Sequence, residues 1–271
     1  GGGGAGGRIA VYANTSSFTG TMQAHGGRTT QAVMDAHRRG GAGTVYVYVK
    51  GEEERSLTVD NGGYVSQPTI VNESSGDLGV LRVFGSSELR VVGDGKTSIT
   101  GVAGDGSGSV TLGGFTTFGT LSTTTMTNAT NVSNASNMSA NVSNASNMSA
   151  DVGSSMAVFN LSNCKLAIRG GLLEGIEKLD VWRGGELQLY ENGRSAETAS
   201  VGTYNWSSLL VHDGGVVSVR SSSGNSSDFV RIGGSIQLHD ACLFRLECTA
   251  ELSAKLLWYG GSIIGDGSQL V

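Results

Sequence analysis

Residues 179–189, LDVWRGGELQL, and residues 209–219, LLVHDGGVVSV, are two copies of one local design. Each begins with an alternating apolar run, turns through a Gly-Gly pair and continues in a second alternating run. Residues 229–238 (FVRIGGSIQL) and 257–264 (LWYGGSII) repeat the design, so that successive Gly pairs lie 30, 19 and 27 residues apart. Alternation with a period of two predicts β-strands with one buried face, and a Gly pair predicts a sharp corner between two strands.

Units that recur at roughly 20–30 residues are typical of a solenoid, in which each coil of chain stacks on the one before. A meander of antiparallel hairpins would also combine alternation with Gly corners, but the recurrence favours the solenoid. The unequal spacing indicates coils whose loops differ in length on one side. Further strand signals lie at 8–12, 44–50, 56–59, 80–84 and 89–92. We therefore predict an all-β fold, a parallel β-solenoid.

The composition argues against several other classes of protein. The 271 residues include 44 Gly and a single Pro, whereas collagen needs Gly at every third position together with abundant Pro. Charged residues make up 15% of the chain, the formal net charge is −5, and no basic run exceeds two residues, so no nucleic-acid partner is expected. No apolar run approaches the ~20 residues that a membrane-spanning helix needs.

The acceptor sequence for N-glycosylation, Asn-x-Ser/Thr, is strongly over-represented. It contains 12 of the 15 Asn residues, although the 57 Ser and Thr residues would place only about 3 there by chance. The acceptors are Asn14, Asn72, Asn128, Asn131, Asn134, Asn137, Asn141, Asn144, Asn147, Asn160, Asn205 and Asn225. Turn residues of a solenoid would explain the isolated sites, but not the regular triplets at 128–149. We predict a eukaryotic secretory route, an extracellular, cell-surface location and covalent N-glycans.

The segment 116–155 differs in composition from the rest of the chain. Residues 116–130 are rich in Thr, and the ten residues NVSNASNMSA at 131–140 recur unchanged at 141–150. Such low complexity predicts a mucin-like, glycosylated insertion. The chain is therefore divided into N-terminal solenoid coils at 1–115, the insertion at 116–155, and C-terminal coils at 156–271, all in one continuous solenoid. The start on four Gly residues without Met favours a segment of a longer, secreted polypeptide.

Three cysteines, Cys164, Cys242 and Cys248, leave two interpretations open. An odd count in a secreted chain implies a leftover thiol or a partner in another chain. Cys242 and Cys248 have the same parity along a strand and can both face the core, so a disulfide between them, or one with Cys164, is possible. Alternatively, all three are small, buried apolar side chains. The sequence contains no CxxC pair or Cys/His cluster, so no metal site is predicted.

The beginning of the chain carries a Gly-rich motif, GGGGAGGRIAVY at 1–12, followed by FTG at 18–20, AHGG at 24–27 and GGAGTVY at 40–46. Together these motifs resemble Gly-rich repeat segments of very large cell-surface proteins of algae, oomycetes and other protists. The resemblance covers residues 1–63 well and the remainder only by fold pattern. It implies a right-handed parallel β-helix of the pectin-lyase-like type at a cell surface, and it transfers no catalytic residue.

The side chains that acid-base catalysis would need are scattered along the chain. Three carboxylates lie near Gly-rich corners and can align on one face: Asp213, Asp240 and Asp266. A glycoside hydrolase needs two carboxylates that face each other across the scissile bond. The dipeptides His212-Asp213 and His239-Asp240 are the most suggestive pair. Polar residues on the solvent face of turns and strands explain them more simply, so no catalytic residue is predicted.

Five aromatic residues in the C-terminal half suggest a second kind of site, since aromatic rings stack on sugars. They are Trp182, Tyr190, Tyr204, Trp206 and Trp258. Packing in the core explains them equally well. The match to GxGxxG at 1–6 is followed by a strand instead of the helix that nucleotide binding requires, so no cofactor is predicted.

These observations favour a structural role over an enzymatic one. We expect a rigid, glycosylated spacer or filament subunit of a cell-surface assembly, such as a flagellar hair, sheath or wall component. Its expected partners are other copies of the chain or other chains of that assembly. A carbohydrate-binding adhesin module is the alternative, and a polysaccharide lyase or hydrolase of the β-helix type is the second alternative.

Overall fold

The computed structural model describes residues 3–28, 39–50, 55–72, 75–93, 96–114, 117–118, 158–169, 172–173, 176–190, 201–221 and 229–265. Within these ranges all regular structure is β, which confirms the prediction of an all-β chain. The strands are β1 Arg8–Ala13, β2 Thr44–Val49, β3 Ser56–Asp60, β4 Thr69–Asn72, β5 Ser75–Phe84, β6 Glu88–Gly93, β7 Lys96–Gly104, β8 Ser109–Gly114, β9 Thr117–Phe118, β10 Val158–Ser162, β11 Lys165–Arg169, β12 Leu172–Leu173, β13 Lys178–Trp182, β14 Glu186–Tyr190, β15 Val201–Val211, β16 Val216–Arg220, β17 Phe229–Leu238, β18 Leu243–Leu246, β19 Thr249–Trp258 and β20 Ser262–Gly265.

The strands form two sheets between which the chain alternates. The first sheet has the order β1-β2-β3-β5-β7-β10-β13-β15-β17-β19, and in addition the short β9 pairs with β7 and the short β12 pairs with β9. The second has the order β20-β18-β16-β14-β11-β8-β6-β4. One coil is a passage through a strand of the first sheet and a strand of the second. Among the described strands, every pairing from β3 onward is parallel and neither sheet closes on itself, an arrangement consistent with the solenoid-like class.

The pairing of β2 with β3 is antiparallel, which the prediction of a parallel solenoid did not anticipate. Only residues 50–55 connect these strands. A parallel pairing needs a crossover of a dozen or more residues, so a link of this length forces the chain to reverse its direction. The strand β1 then pairs in parallel with β2 from the other side.

A column of aliphatic side chains runs through the coils and forms the core. In the first sheet the registered positions are Leu57, Leu81, Val102, Leu161, Val181, Val211 and Leu238. Each of these side chains is buried. Because side chains of parallel, in-register strands stack on one another, each new coil covers the apolar face of the last. The second sheet supplies the facing column Leu89, Val110, Leu166, Leu187, Val217 and Phe244.

The corner at which the chain passes from the first sheet to the second is short, and we call it the turn corner. From β5 onward its connections contain between two residues (163–164) and four (212–215). At Arg183-Gly184 and Asp213-Gly214 both central residues have positive φ. The amides of Gly185 and Gly215 donate to the carbonyls three residues earlier, at 2.8 Å in each case. These are the properties of type I′ turns, which Asp-Gly favours.

The opposite corner, from the second sheet back to the first, carries connections of very different length, and we call it the variable corner. Residues 94–95, 191–200 and 222–228 lie between strands at this corner, as do residues 119–157. The bounds of the strands therefore confirm the prediction that the connections on one side of the solenoid differ in length. The predicted insertion at 116–155 lies outside the described residues, apart from β9. The coils on either side stack directly, because β10 pairs with β7.

One of the four predicted Gly-Gly corners is wrong. Gly233 and Gly234 lie inside the continuous strand β17, where they face a bulge between Asn205 and Ser208 of β15. Gly234 has a φ of +92°, so the pair bends the strand within the first sheet. The turn corner of this coil follows at 239–242 and uses a non-Gly residue, Ala241, at a φ of +60°.

Three Gly-rich segments without strand structure, residues 3–7, 24–27 and 40–43, pack against one another near β1. We call them the glycine bundle. Backbone hydrogen bonds join all three segments: Gly6 N–H to Gly41 O at 2.9 Å, Gly27 N–H to Gly4 O at 2.7 Å, and Gly43 N–H to Ala24 O at 2.7 Å. The motif that carries the resemblance to protist surface proteins is thus a unit held together by its own backbone.

The contacts within the glycine bundle recur every three residues. A Cβ atom on Gly3 or Gly6 would lie 2.0 or 2.1 Å from a carbonyl oxygen of the neighbouring segment, while Gly4 and Gly7 face open space. A period of three is that of the polyproline II helix, whose closest association leaves room only for Gly. Although the composition excludes collagen for the chain as a whole, this short region follows the same packing rule.

Candidate functional site

Four of the predicted N-glycosylation acceptors lie among the described residues, and all four are exposed. Asn14 directly follows β1, and Asn72 is the last residue of β4. Asn160 and Asn205 lie on β10 and β15 of the first sheet. The remaining acceptors, Asn128, Asn131, Asn134, Asn137, Asn141, Asn144, Asn147 and Asn225, lie outside the described residues.

The two His-Asp dipeptides come together in the structure, at the turn corners of adjacent coils. His212 and His239 are in register, because the amide of His239 donates to Val211 O at 3.0 Å. They belong to an outward column of rings that also includes Trp182 and Tyr259. The ring centroids of Trp182 and His212 are 6.1 Å apart with 14° between planes, and those of His239 and Tyr259 are 5.0 Å apart.

A shallow cleft of about 330 Å³ lies between the two dipeptides. Its walls are Leu210, His212, Asp213, His239 and Asp240. The cleft satisfies one requirement of acid-base chemistry, since two carboxylates are brought to the same place. Asp266, the third carboxylate singled out in the sequence, lies outside the described residues.

The side chains around this cleft are largely engaged with one another. His212 places Nε2 at 2.9 Å from Asp180 Oδ1 and Nδ1 at 3.2 Å from Asp213 Oδ2. The guanidinium of Arg183 lies 4.2 Å from the centre of the Trp182 ring, so that this ring is covered by Arg183 as well as by His212. The column therefore holds adjacent coils together and leaves Trp182 with no open platform for a ligand.

Three of the five aromatic residues proposed for sugar stacking belong to the interior. Tyr190, Tyr204 and Trp206 are buried, and the Tyr204 hydroxyl donates to the Tyr190 carbonyl. Trp258 continues the core column beyond Leu238 and is 63% exposed, because the described coils end there. Alternation identifies which residues share a face, but it does not say which face is buried.

The three cysteines are buried, and no disulfide joins them. Cys242 and Cys248 do share parity, as expected, but they flank β18 at opposite ends. The strand alone spans roughly 13 Å, whereas a disulfide needs Cα atoms within about 7 Å. Cys164 occupies the same position of the turn corner as Cys242 but three coils away, which also excludes a bridge. Burial raises the pKa of the Cys164 thiol to about 12.

A larger groove, which no motif of the sequence predicts, lies at the N-terminal end of the sheets. The first sheet continues through β2 and β1, whereas β4 is the last described strand of the second sheet at this end. The space that a further strand would fill is a groove of about 620 Å³. No local pattern could have revealed it, because it depends on the difference in strand number between the sheets.

The core-facing side chains change in character where the groove begins. The column that contains Leu57 continues through Tyr46 on β2 and Ala10 on β1. Tyr12 lies 5.7 Å from Tyr46, ring centre to ring centre. Arg55 and Asp77, which form an ion pair, also line the groove.

Within the described part of the chain, no group of three or more His, Cys, Asp or Glu side chains has an arrangement that could hold a metal ion. No described helix has the length and hydropathy of a membrane span. Comparison of the chain with protein-family models, with curated proteins and with solved structures found no match.

Proposed function

We propose that this chain is a segment of an extracellular structural glycoprotein, built as a right-handed parallel β-helix that serves as a rigid spacer or filament subunit. The observation that carries the proposal is the core column, which continues from β3 to β17 without a polar interruption. A stack in which each coil buries the face of the previous one resists bending, because no coil can tilt without opening its contacts. The right hand follows the general preference of parallel crossover connections.

The secretory part of the proposal rests on the acceptor sequences and on the surface of the molecule. The four described acceptors are exposed, as a glycan requires. Asn160 and Asn205 lie on the first sheet, whereas Asn72 ends β4 of the second sheet. Glycans on these residues would therefore be distributed around the coils. The buried thiols are protected from oxidation, which suits an oxidising compartment. Partners of such a segment are further copies or other chains of the same assembly.

Immunogold electron microscopy of cells that produce the protein tests this function. An antibody against the C-terminal coils should label a filament, sheath or wall, with gold particles at a regular axial repeat. Labelling confined to intracellular vesicles, or protein recovered only as dispersed soluble material in the medium, would contradict the structural role.

Carbohydrate binding is the second candidate function, and the cleft between His212 and His239 favours it. Polar and ring side chains converge there on a site of about 330 Å³, within the roughly 300–1,000 Å³ of small-molecule sites. Titration of neutral oligosaccharides, monitored by calorimetry, should show binding that His239→Ala abolishes.

Asp213 and Asp240 in the same cleft also suit a polysaccharide-cleaving enzyme. The test is the release of sugar fragments from a polysaccharide, which the wild type should catalyse and Asp240→Asn should not.

A further inference from the structure

The groove at the N-terminal end combines features of a ligand site with an uncovered core. One wall is the core-facing side of β1 and β2, and the other comprises β4 with the beginning of β5. Its volume, about 620 Å³, falls within the range of about 300–1,000 Å³ that is typical of small-molecule sites. This surface continues the interior of the coils, and no described strand covers it.

Two large apolar side chains on the groove are left in solvent. Tyr12, on the core-facing side of β1, is 72% exposed, and Ile70, at the rim on the outward face of β4 beside Arg90, is 57% exposed. Single exposed apolar residues are ordinary, but here two of them border one concave surface, which favours an interaction site. The groove also offers polar groups, namely Arg8, Thr44 and the Arg55–Asp77 ion pair.

The groove contains its own point of covalent attachment. Asn72, the last residue of β4, lines the cavity, is exposed and begins the acceptor sequence Asn72-Glu73-Ser74. We propose that an N-glycan on Asn72 folds back into this groove and caps the end of the core. This inference rests on the proposed secretory function and deepens it, by assigning one acceptor a structural role that the others lack.

The chemistry of the groove suits the first sugars of an N-glycan. The C–H face of an acetamido sugar packs on an aromatic ring, for which Tyr12 and Tyr46 are available. Sugar hydroxyl groups both donate and accept hydrogen bonds, so they satisfy Arg8 and the Asp77 carboxylate together. A purely apolar ligand would offer the Arg8 guanidinium no acceptor, and covering a charged group without a partner is costly.

The attachment itself follows the usual group transfer. The Asn72 side-chain nitrogen forms a bond to C1 of the first sugar of a lipid-diphosphate-linked oligosaccharide. The bond between that C1 and the phosphate oxygen breaks, the lipid diphosphate leaves, and the nitrogen loses one proton. The secretory transferase and its lipid-linked donor supply the reaction, so the protein contributes only the acceptor and the groove.

The test uses the chain secreted from a eukaryotic cell line, with glycopeptide mass spectrometry at each acceptor. Asn160 is the matched control, because it is also exposed and on a strand but lies outside the groove. Under native conditions an endoglycosidase should trim the Asn72 glycan at least about tenfold more slowly than the Asn160 glycan, since packing against protein excludes the enzyme. Tyr12→Ala should bring the two rates together. Asn72→Gln, but not Asn160→Gln, should increase the fluorescence of a hydrophobic dye.

The outcomes separate this inference from the proposed function. If Asn72 is unmodified while other acceptors carry glycans, the inference fails and the secretory function stands. If no acceptor is modified, both fail. If Asn72 is modified but is trimmed as fast as Asn160, with no effect of Tyr12→Ala, the glycan does not enter the groove and the inference is overturned.

Discussion

In the glycine bundle, backbone packs directly on backbone, whereas in the stacked coils the space between the sheets is filled by aliphatic side chains. The bundle relies on the absence of side chains at Gly3, Gly6 and Gly43. The coils rely on side chains such as Phe159 and Leu161, which are fully buried. The first region is therefore sensitive to any added atom, and the second to any removed atom. This difference explains how one chain can be both very rich in Gly and well packed.

Removal of a core side chain should have the largest effect. Phe159→Ala is expected to lower the free energy of unfolding by about 3–5 kcal/mol, since it leaves a cavity that the surrounding coils cannot close. Chemical denaturation of the secreted protein measures this change. Its neighbour Val158 is exposed on the same strand, and Val158→Ala should cost less than about 0.5 kcal/mol. Equal losses for the two variants would show that the coils are not held by the core column.

The reactivity of Cys164 reports how tightly the coils are closed. Because burial raises its pKa to about 12, its thiolate fraction at pH 8 is about a thousandfold below that of an ordinary thiol. The rate of alkylation of Cys164, measured by mass spectrometry of its peptide, should be at least about a thousandfold lower in the native protein than in denaturant. Rapid alkylation in the native state would mean that the turn corner opens readily.

The glycine bundle should respond to a single methyl group in a position-dependent way. Gly6→Ala places a Cβ 2.1 Å from Ala24 O, and overpacking of this kind typically costs about 1–3 kcal/mol. Gly7→Ala, one residue later, meets no atom within 4 Å and is expected to be nearly neutral.

Hydrogen exchange distinguishes these two variants. The amides of Gly27 and Gly43, which hydrogen-bond across the bundle, should exchange faster in Gly6→Ala and unchanged in Gly7→Ala. Peptides from the coils should keep their protection in both variants. Loss of protection throughout the coils in Gly6→Ala would show that the two regions are not separate in stability.

The smallest expected effect concerns a polar contact between coils. Burial alone would raise the pKa of Asp105, but hydrogen bonds from the Ser107 hydroxyl and from the Gly85 amide of the adjacent coil outweigh it and lower the pKa. A carboxylate with a lowered pKa contributes stability above its unfolded pKa and loses it as the pH falls through the folded value. Asp105→Asn should therefore lower Tm slightly at pH 6 and have less effect near pH 3. A Tm difference that is independent of pH would contradict this assignment.

The local pattern of the sequence predicts most of the strands. The predicted runs at 8–12, 44–50 and 56–59 coincide with β1, β2 and β3. Period-two alternation is a local property, and the first Gly of each pair, Gly184 and Gly214, meets a local demand for positive φ. The two His-Asp dipeptides are recognisable as related for the same reason, since each follows a strand of the same design.

Properties that depend on the register between coils could not be predicted from the sequence. The Gly pair at 233–234 looks like a corner, yet only the bulge in β15 shows that it bends a strand. The burial of Tyr204 and Trp206 depends on which face the neighbouring coil covers. The groove beside Asn72 exists because the second sheet ends before the first, which no run of residues records.

The variable corner has a consequence for the gene. Because β7 pairs directly with β10 across the long connection at this corner, residues can be added there without any change in the register of the coils. The identical decapeptides at 131–140 and 141–150 lie in that connection, and tandem copies of this kind arise when a polymerase slips during replication. Alleles of this protein are therefore expected to differ in the number of decapeptide copies while the coils that flank them remain constant in length.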